Sequence, residues 1–283
     1  MNGKTCIITG ATDGIGLETA TRLGAQGAKL VLIGRNRDKG ERALRGLQAR
    51  VPGLVAAIHY ADLSRRDEIA RLAATLLREV PRIDLLLNNA GALYARRETT
   101  TDGLERTFAL NHMGYFLLTH FLKERLIASA PARIVNVASE AHRPATLDFD
   151  DLQGIKAYRG LRAYQRSKLC NILFTRELAR RLAGAGVTAN CLHPGFVASS
   201  FGDNNRGLFR WGIGLAKRFS AISVAEGAKT PVYVASSPDV AAMTGCYFDK
   251  ERVREPSVAA QDERAAARLW RESLDLAGLP SEV

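Results

Sequence analysis

The stretch Thr5-Cys6-Ile7-Ile8-Thr9-Gly10-Ala11-Thr12-Asp13-Gly14-Ile15-Gly16 decides the fold. Its apolar start predicts a buried strand, its glycines predict a sharp turn, and the pattern from Leu17 to Gln26 predicts a helix. Glycines let the backbone approach a ligand closely, and the first amides of a helix can face a diphosphate, whose charge the helix dipole favours. We therefore predict a dinucleotide-binding turn made by Gly10, Thr12, Asp13, Gly14, Ile15 and Gly16.

The second predicted strand, Ala28 to Ile33, ends at Gly34-Arg35-Asn36-Arg37. In NAD-binding units of this kind, an acidic residue about 20 residues after the glycines takes the ribose hydroxyls. Here Gly34 stands near that point, so no carboxylate repels a 2′-phosphate, and Arg35 supplies a charged, forked donor for it. We predict NADP(H) as the cofactor, bound by Arg35, Asn36 and Arg37. The alternative is that Arg35 only ends a strand in solvent.

Strand and helix patterns alternate along the rest of the chain. This alternation predicts an α/β protein, a single Rossmann-type domain over residues 1–283. Its core would be a doubly wound, parallel, seven-stranded sheet with helices on both faces. The further predicted strands are Leu54 to Tyr60, Ile83 to Leu87, Arg133 to Ala138, Val187 to Leu192, and Gly245 to Phe248.

Small and polar residues follow several of these strands. Because parallel strands end at one edge of the sheet, where ligands bind in open α/β folds, we expect them to line one crevice. A serine after the fifth strand can donate a hydrogen bond to a carbonyl oxygen, although such a residue alone is more often part of a plain turn. The predicted residues at this edge are Asp62, Leu63, Asn89, Ala90, Gly91, Ser139, Pro194 and Gly195.

Tyr164 and Lys168 are four residues apart in a predicted helix, Tyr158 to Ala183, and so lie on one of its faces. A free phenol titrates too high for efficient proton transfer at neutral pH. An ammonium group beside it favours the phenolate and lowers its pKa. The pair is thus a candidate general acid or base, although an isolated match to this spacing more often marks an ordinary surface helix.

Composition narrows the classes of function. The formal net charge is +11, from 40 basic and 29 acidic residues, but the basic residues are scattered among acidic ones. This pattern favours solvated helix faces over nucleic-acid binding. The four cysteines are far apart and the five histidines form no ligand motif, so we expect free thiols and no metal site. We also expect no signal peptide, no membrane span and a cytoplasmic location.

The segment at about 196–223 differs from the rest, because glycines and aromatic residues dominate it. We predict a substrate lid over an apolar pocket. Arg206, Arg210, Lys217 and Arg218 interleave with its apolar side chains, so a peripheral membrane contact is a second, less favoured interpretation.

Taken together, the motifs resemble those of the short-chain dehydrogenase/reductase superfamily, in the same order and over nearly the whole chain. They are the glycine turn, Asn88-Asn89-Ala90-Gly91, Asn111, Ser139, Tyr164-x-x-x-Lys168 and Pro194-Gly195. Leu110 to Thr119, Ser167 to Leu178 and the region from Ala225 to Trp270 are similar to the retinol dehydrogenase and WW-domain oxidoreductase branch. We expect neither the N-terminal membrane anchor of several retinol dehydrogenases nor a WW module, so the resemblance supports the chemistry better than it supports retinol as substrate.

The resemblance implies roles for named residues. Tyr164 would exchange a proton with the substrate oxygen, Ser139 would hydrogen-bond that oxygen, and Lys168 would bind the nicotinamide ribose and lower the Tyr164 pKa. Asn111 would hold a water for proton relay. Asp62 and Leu63 would meet the adenine, Asn89 to Gly91 the adenosine side, and Pro194, Gly195 and Val197 the nicotinamide amide. Relatives usually form dimers or tetramers, so a homodimer or homotetramer is expected.

These observations predict an NADP(H)-dependent oxidoreductase that interconverts an alcohol and a carbonyl on a small hydrophobic substrate. The main alternative is a non-catalytic NADP(H)-binding regulatory protein. A non-catalytic relative would have no chemical reason to hold Asn111, Ser139, Tyr164 and Lys168 together.

Overall fold

The computed structural model describes residues 1–197 and 222–280, which form one α/β sheet structure. The strands are β1 Thr5–Thr9, β2 Lys29–Gly34, β3 Ala56–Tyr60, β4 Leu85–Asn88, β5 Ala132–Val137, β6 Val187–His193, β7 Tyr247–Asp249 and β8 Arg252–Arg254. Their order across the sheet is β3-β2-β1-β4-β5-β6-β7-β8. The order reverses between β1 and β4, where a doubly wound sheet opens a crevice at the carboxyl ends of its strands.

The α-helices connect these strands and cover both faces of the sheet. They are α1 Gly14–Ala25, α2 Arg37–Arg50, α3 Arg66–Glu79, α4 Arg106–Phe108, α5 Gly114–Ala128, α6 Gly160–Arg181, α7 Val224–Gly227, α8 Lys229–Ser236 and α9 Glu263–Ala277. Alternate side chains of β1 enter different cores, since Ile7 packs with α3, α5, α6 and α9, whereas Cys6 and Ile8 pack with α1 and α8.

The expectation of a seven-stranded parallel sheet is wrong in its strand count. The seven expected strands are present and parallel, and an eighth, β8, pairs antiparallel with β7. Lys250 and Glu251 form the tight turn between them with φ of 50° and 60°. Two-residue hairpins with positive φ usually carry Asn or Gly, and β8 is exposed along its length. The sequence therefore lacks the usual signal for this hairpin.

The chain between β4 and α5 follows a less regular path than a simple helix. After α4, one π-helical turn spans Ala109–Met113 and leads directly into α5. Such turns often occur at functional sites. This one buries Asn111 completely and turns its side chain towards α6.

Among residues 1–197 and 222–280, no helix is both long and apolar enough to span a membrane.

Candidate active site

A cleft of about 1160 Å³ runs along the carboxyl ends of the parallel strands. At one end lie cationic side chains, the glycine turn is in the middle, and the Tyr164 and Lys168 side chains lie at the other end. The cleft brings together nearly every residue that the sequence predicts for cofactor and substrate. These are Gly10, Thr12, Asp13, Gly14, Ile15, Gly16, Arg35, Asn36, Asp62, Leu63, Asn89, Ala90, Gly91, Ser139, Tyr164, Lys168, Pro194, Gly195 and Val197.

The glycine turn is closed by the segment after β4. The Asn89 side-chain amide donates to the carbonyl oxygens of Thr9 and Gly10 at 2.9 and 3.2 Å. A Cβ atom on Gly16 would lie 2.5 Å from that amide and 2.4 Å from the Gly10 oxygen, so no side chain fits there. Gly10 itself has φ +64°, which glycine adopts without strain. The turn can therefore bring its backbone amides close to a ligand. The Asn89 side chain holds the turn in this shape through its two hydrogen bonds.

Arg35 supplies positive charge at the cationic end of the cleft, where it lies next to Gly34 and Asp62. A Cβ atom on Gly34 would meet the Thr12 methyl group at 2.4 Å, so an acidic side chain cannot stand at this position unless Thr12 moves. The Arg35 side chain is 57% exposed, and its guanidinium lies 3.7 Å from an Asp62 carboxylate oxygen. The other Asp62 oxygen accepts hydrogen bonds from Ser64. Although burial raises the pKa of Asp62, these hydrogen bonds and Arg35 outweigh it, and the pKa is lowered.

Lys39 is a second cation at this end of the cleft, and the sequence motifs did not identify it. Its ammonium group lies 2.6 Å from the Asp13 carboxylate. Asn36 caps α2 by accepting from the Lys39 amide at 2.8 Å, and this places Lys39 in the first turn of the helix. The sequence could have pointed to Lys39, because it follows Arg35 by only four residues. Arg37, by contrast, does not line the cleft, because its guanidinium lies over the Tyr60 ring at 4.7 Å.

Tyr164 and Lys168 face the opposite end of the cleft from successive turns of α6. The Lys168 ammonium is buried, donates to the Val137 carbonyl at 2.7 Å, and lies 5.7 Å from the centres of both the Tyr164 and Tyr115 rings. Burial lowers the pKa of Lys168 to about 7. Burial also raises the pKa of Tyr164 to about 12, and a hydrogen bond with the Ser139 side chain opposes that rise.

The pKa of Tyr164 thus lies above the ordinary value, not below it as the Tyr-x-x-x-Lys spacing predicts. At 5.7 Å from the ring centre, the Lys168 charge does not offset the desolvation of the phenol. The Tyr164 phenol is therefore protonated at neutral pH and has a proton to donate, and its raised pKa makes it a weaker acid than a free phenol.

Asn111 stands behind this pair and does not line the cleft. Its side chain exchanges hydrogen bonds with the backbone of Ala92, both at 2.9 Å, and donates to the Ser167 hydroxyl. A Cβ atom on Gly91 would lie 3.3 Å from the Asn111 oxygen and 3.6 Å from the Lys168 nitrogen. Asn111 and Lys168 therefore flank the same small space beside Gly91.

The wall next to Tyr164 is apolar, and its residues were not singled out from the sequence as site residues. Leu161 and Phe196 are 53% and 43% exposed, so their apolar surfaces are open to a ligand in the cleft. This wall consists of Leu93, Tyr94, Leu110, Leu161 and Phe196. The predicted lid at about 196–223 lies outside the described residues except at its two ends, where the Ile222 amide donates to the Phe196 carbonyl.

Comparison with known sequences agrees with this geometry. The family described as short chain dehydrogenase matches residues 4–207. Retinol dehydrogenase 12 of Mus musculus is 41% identical over 282 residues, which cover 99% of this chain and 88% of that protein. Retinol dehydrogenase 13 of Homo sapiens is 38% identical, with coverage of 98% and 85%.

Solved structures share the architecture. An uncharacterised protein from Mycobacterium paratuberculosis superposes with a TM-score of 0.81 at 29% identity, over 100% of this chain and 96% of that one. The RhlG/NADP active-site complex of Pseudomonas aeruginosa gives a TM-score of 0.70 at 26% identity, with coverage of 88% and 94%. The chain therefore belongs to the short-chain dehydrogenase family, in its retinol dehydrogenase-like branch.

Proposed function

We propose that the protein is an NADP(H)-dependent oxidoreductase that interconverts an alcohol and a carbonyl on a hydrophobic substrate. One observation carries the proposal. A single cleft joins an exposed arginine at one end, a glycine turn in the middle, and a tyrosine–lysine–serine group beside an apolar wall at the other. Each part of the cleft matches one part of a reaction between a dinucleotide and an apolar carbonyl compound.

The residues fit the cofactor. Backbone amides at the start of α1 would hold the diphosphate, Lys168 the nicotinamide ribose, and the backbone of Pro194 to Val197 the nicotinamide amide. Asp62 and Leu63 would meet the adenine and Asn89 to Gly91 the adenosine side. When bound, NADPH supplies the hydride for reduction, and NADP accepts one in the reverse direction.

Side chains of this protein would transfer the proton to and from the substrate oxygen. Tyr164 donates its phenol proton to the substrate oxygen during reduction and takes a proton from an alcohol during oxidation. Ser139 donates a hydrogen bond to the same oxygen and orients it. The buried Lys168 ammonium stabilises the phenolate that Tyr164 leaves, since an opposite charge has greater effect away from water. Asn111, beside Gly91, holds a water through which Lys168 exchanges protons with solvent.

The preference for NADP(H) rests on the cationic end of the cleft. The Thr12 methyl group occupies the space that a Cβ atom at position 34 would need, so an acidic side chain, the usual partner of the NAD ribose hydroxyls, cannot stand there unless Thr12 moves. Arg35 and Lys39 supply positive charge in its place. The similar RhlG structure is a complex with NADP, which is consistent with this choice.

The substrate is proposed to be a long, apolar alcohol or its aldehyde or ketone, with retinoids among the candidates. The apolar wall beside Tyr164 supports an apolar compound. The relatives named retinol dehydrogenases support an elongated one. The regulatory alternative is less favoured, because the buried Lys168 ammonium is costly to maintain without a chemical use. Homo-oligomer formation and a cytoplasmic location stay predictions.

The proposal is tested by mixing the purified protein with NADPH or NADH and a panel of hydrophobic aldehydes and ketones, including all-trans-retinal. Loss of the reduced nicotinamide absorbance is followed for each pair. We expect turnover with NADPH that exceeds turnover with NADH at equal concentration, and faster reaction for longer apolar substrates. No turnover together with no nucleotide binding would refute the proposal, whereas tight NADPH binding without turnover would favour the regulatory alternative.

A further inference from the structure

We propose that His142 is a positioning residue for Ser139, and that the Ser257 backbone sets the His142 tautomer needed for this task. The inference rests on the proposed function, since it assigns a role within the same site. His142 is fully buried behind the cleft, in the short 3₁₀ turn Glu140–His142 that follows Ser139. Its side chain does not line the cleft, so it can act on the reaction only through a neighbour.

The hydrogen bonds of His142 fix the position of its ring proton. The Ser257 amide can only donate, and it lies 3.1 Å from the His142 Nε2 atom. Nε2 must therefore carry the lone pair, so the proton of the neutral ring lies on Nδ1. Nδ1 lies 2.7 Å from the Ser139 carbonyl oxygen and donates to it.

This hydrogen bond holds the residue whose hydroxyl faces the substrate. The Ser139 carbonyl also accepts from the His142 backbone amide at 3.2 Å, and the Ser139 hydroxyl accepts from the Ala141 amide at 3.2 Å. Two donors from one residue thus fix the peptide plane that follows Ser139, and the Ala141 amide holds its hydroxyl against the same turn. A hydroxyl that must meet a substrate oxygen gains rate from such prior orientation.

The surroundings of the ring keep this arrangement in place. The His142 and Tyr247 rings pack in a T-shaped arrangement, with centres 5.2 Å apart and planes at 65°. The Tyr247 hydroxyl donates to Glu140 at 2.9 Å, and Glu140 also pairs with Arg143. Through these contacts β7 and the segment before α9 support the turn that carries Ser139. The elements near the C-terminus therefore contribute to the site without lining the cleft.

Two substitutions separate the two hydrogen bonds of the ring. His142→Asn keeps a donor close to the Nδ1 position and loses the acceptor for Ser257, whereas His142→Gln keeps an acceptor close to the Nε2 position and loses the donor to Ser139. We expect His142→Asn to retain kcat within about threefold, and His142→Gln to lower kcat about tenfold, with NADPH affinity unchanged in both. Ser257→Pro removes the donor to Nε2 at a φ of −62° that proline adopts, and should lower kcat about threefold.

Each variant is also made in a Ser139→Ala background. There the Gln, Asn and Pro variants should all match Ser139→Ala alone, because the group that they position is missing. Equal losses for Asn and Gln with Ser139 present, or a Gln loss that persists after Ser139→Ala, would overturn the inference. If His142→Gln does not fold, as judged by NADPH binding, the comparison of Ser257→Pro with and without Ser139→Ala tests the inference instead. An inactive wild-type protein would instead count against the proposed function.

Discussion

Replacing Arg35 by glutamine should weaken NADPH binding and leave NADH binding nearly unchanged. A charge-assisted hydrogen bond contributes about 1.5–3 kcal/mol when it is well shielded from water. Arg35 is 57% exposed and shares its charge with Asp62 at 3.7 Å, so the lower end of that range applies. A loss of about 1.4 kcal/mol corresponds to a tenfold rise in the Kd for NADPH.

Arg37→Gln is a matched control, since both arginines flank Asn36 and the Arg37 guanidinium lies over Tyr60, outside the cleft lining. We expect it to change the Kd for NADPH by less than about twofold. Binding of both nucleotides to each variant is measured by calorimetry at fixed ionic strength, because salt screens these charges. Equal effects of the two substitutions on NADPH, or an equal effect of Arg35→Gln on NADPH and NADH, would refute the assignment of Arg35 to the 2′-phosphate.

Further predictions concern the groups around Asp13 and Lys168. Asp13→Asn should strengthen NADPH binding relative to NADH binding by about threefold. The substitution releases Lys39 from its 2.6 Å ion pair and removes a negative charge from the cleft. An unchanged ratio of the two Kd values would contradict this prediction. Lys168→Met should abolish turnover yet raise the free energy of unfolding at neutral pH by roughly 2 kcal/mol, measured by urea denaturation, because it removes a buried ammonium. Between about pH 7 and pH 10, unfolded Lys168 binds a proton that the folded protein does not. Wild-type stability should therefore rise with pH relative to Lys168→Met across that window, and a constant difference would contradict the lowered pKa of Lys168.

The sheet and its ligand-binding edge could be predicted because strong local patterns coincide there. The apolar run before Gly10 and the alternation of strands and helices are consequences of burial on both faces of a parallel sheet. β8 could not be predicted, since an exposed three-residue strand after a Lys–Glu turn carries no hydrophobic signal.

Within the site, the sequence identified residues that follow strands, but not the interactions that decide their state. The raised pKa of Tyr164 depends on the desolvation of its phenol in the wall of the cleft, which the Tyr-x-x-x-Lys spacing does not encode. The link from His142 to Ser257 spans 115 positions, and only the folded chain brings the two together. Lys39 could have been found, because it lies in the first turn of the helix that follows Arg35, close in sequence to the predicted 2′-phosphate site.

The most direct test of the central claim compares the wild-type protein with Tyr164→Phe, using NADPH and the best apolar aldehyde or ketone from the panel. Turnover and NADPH affinity are measured on the same preparations. Loss of the proton donor should lower kcat by about 10²–10⁴-fold, while the Kd for NADPH stays within about twofold. Turnover of Tyr164→Phe close to that of the wild-type protein would contradict the proposed role of Tyr164, because another group would then be the general acid.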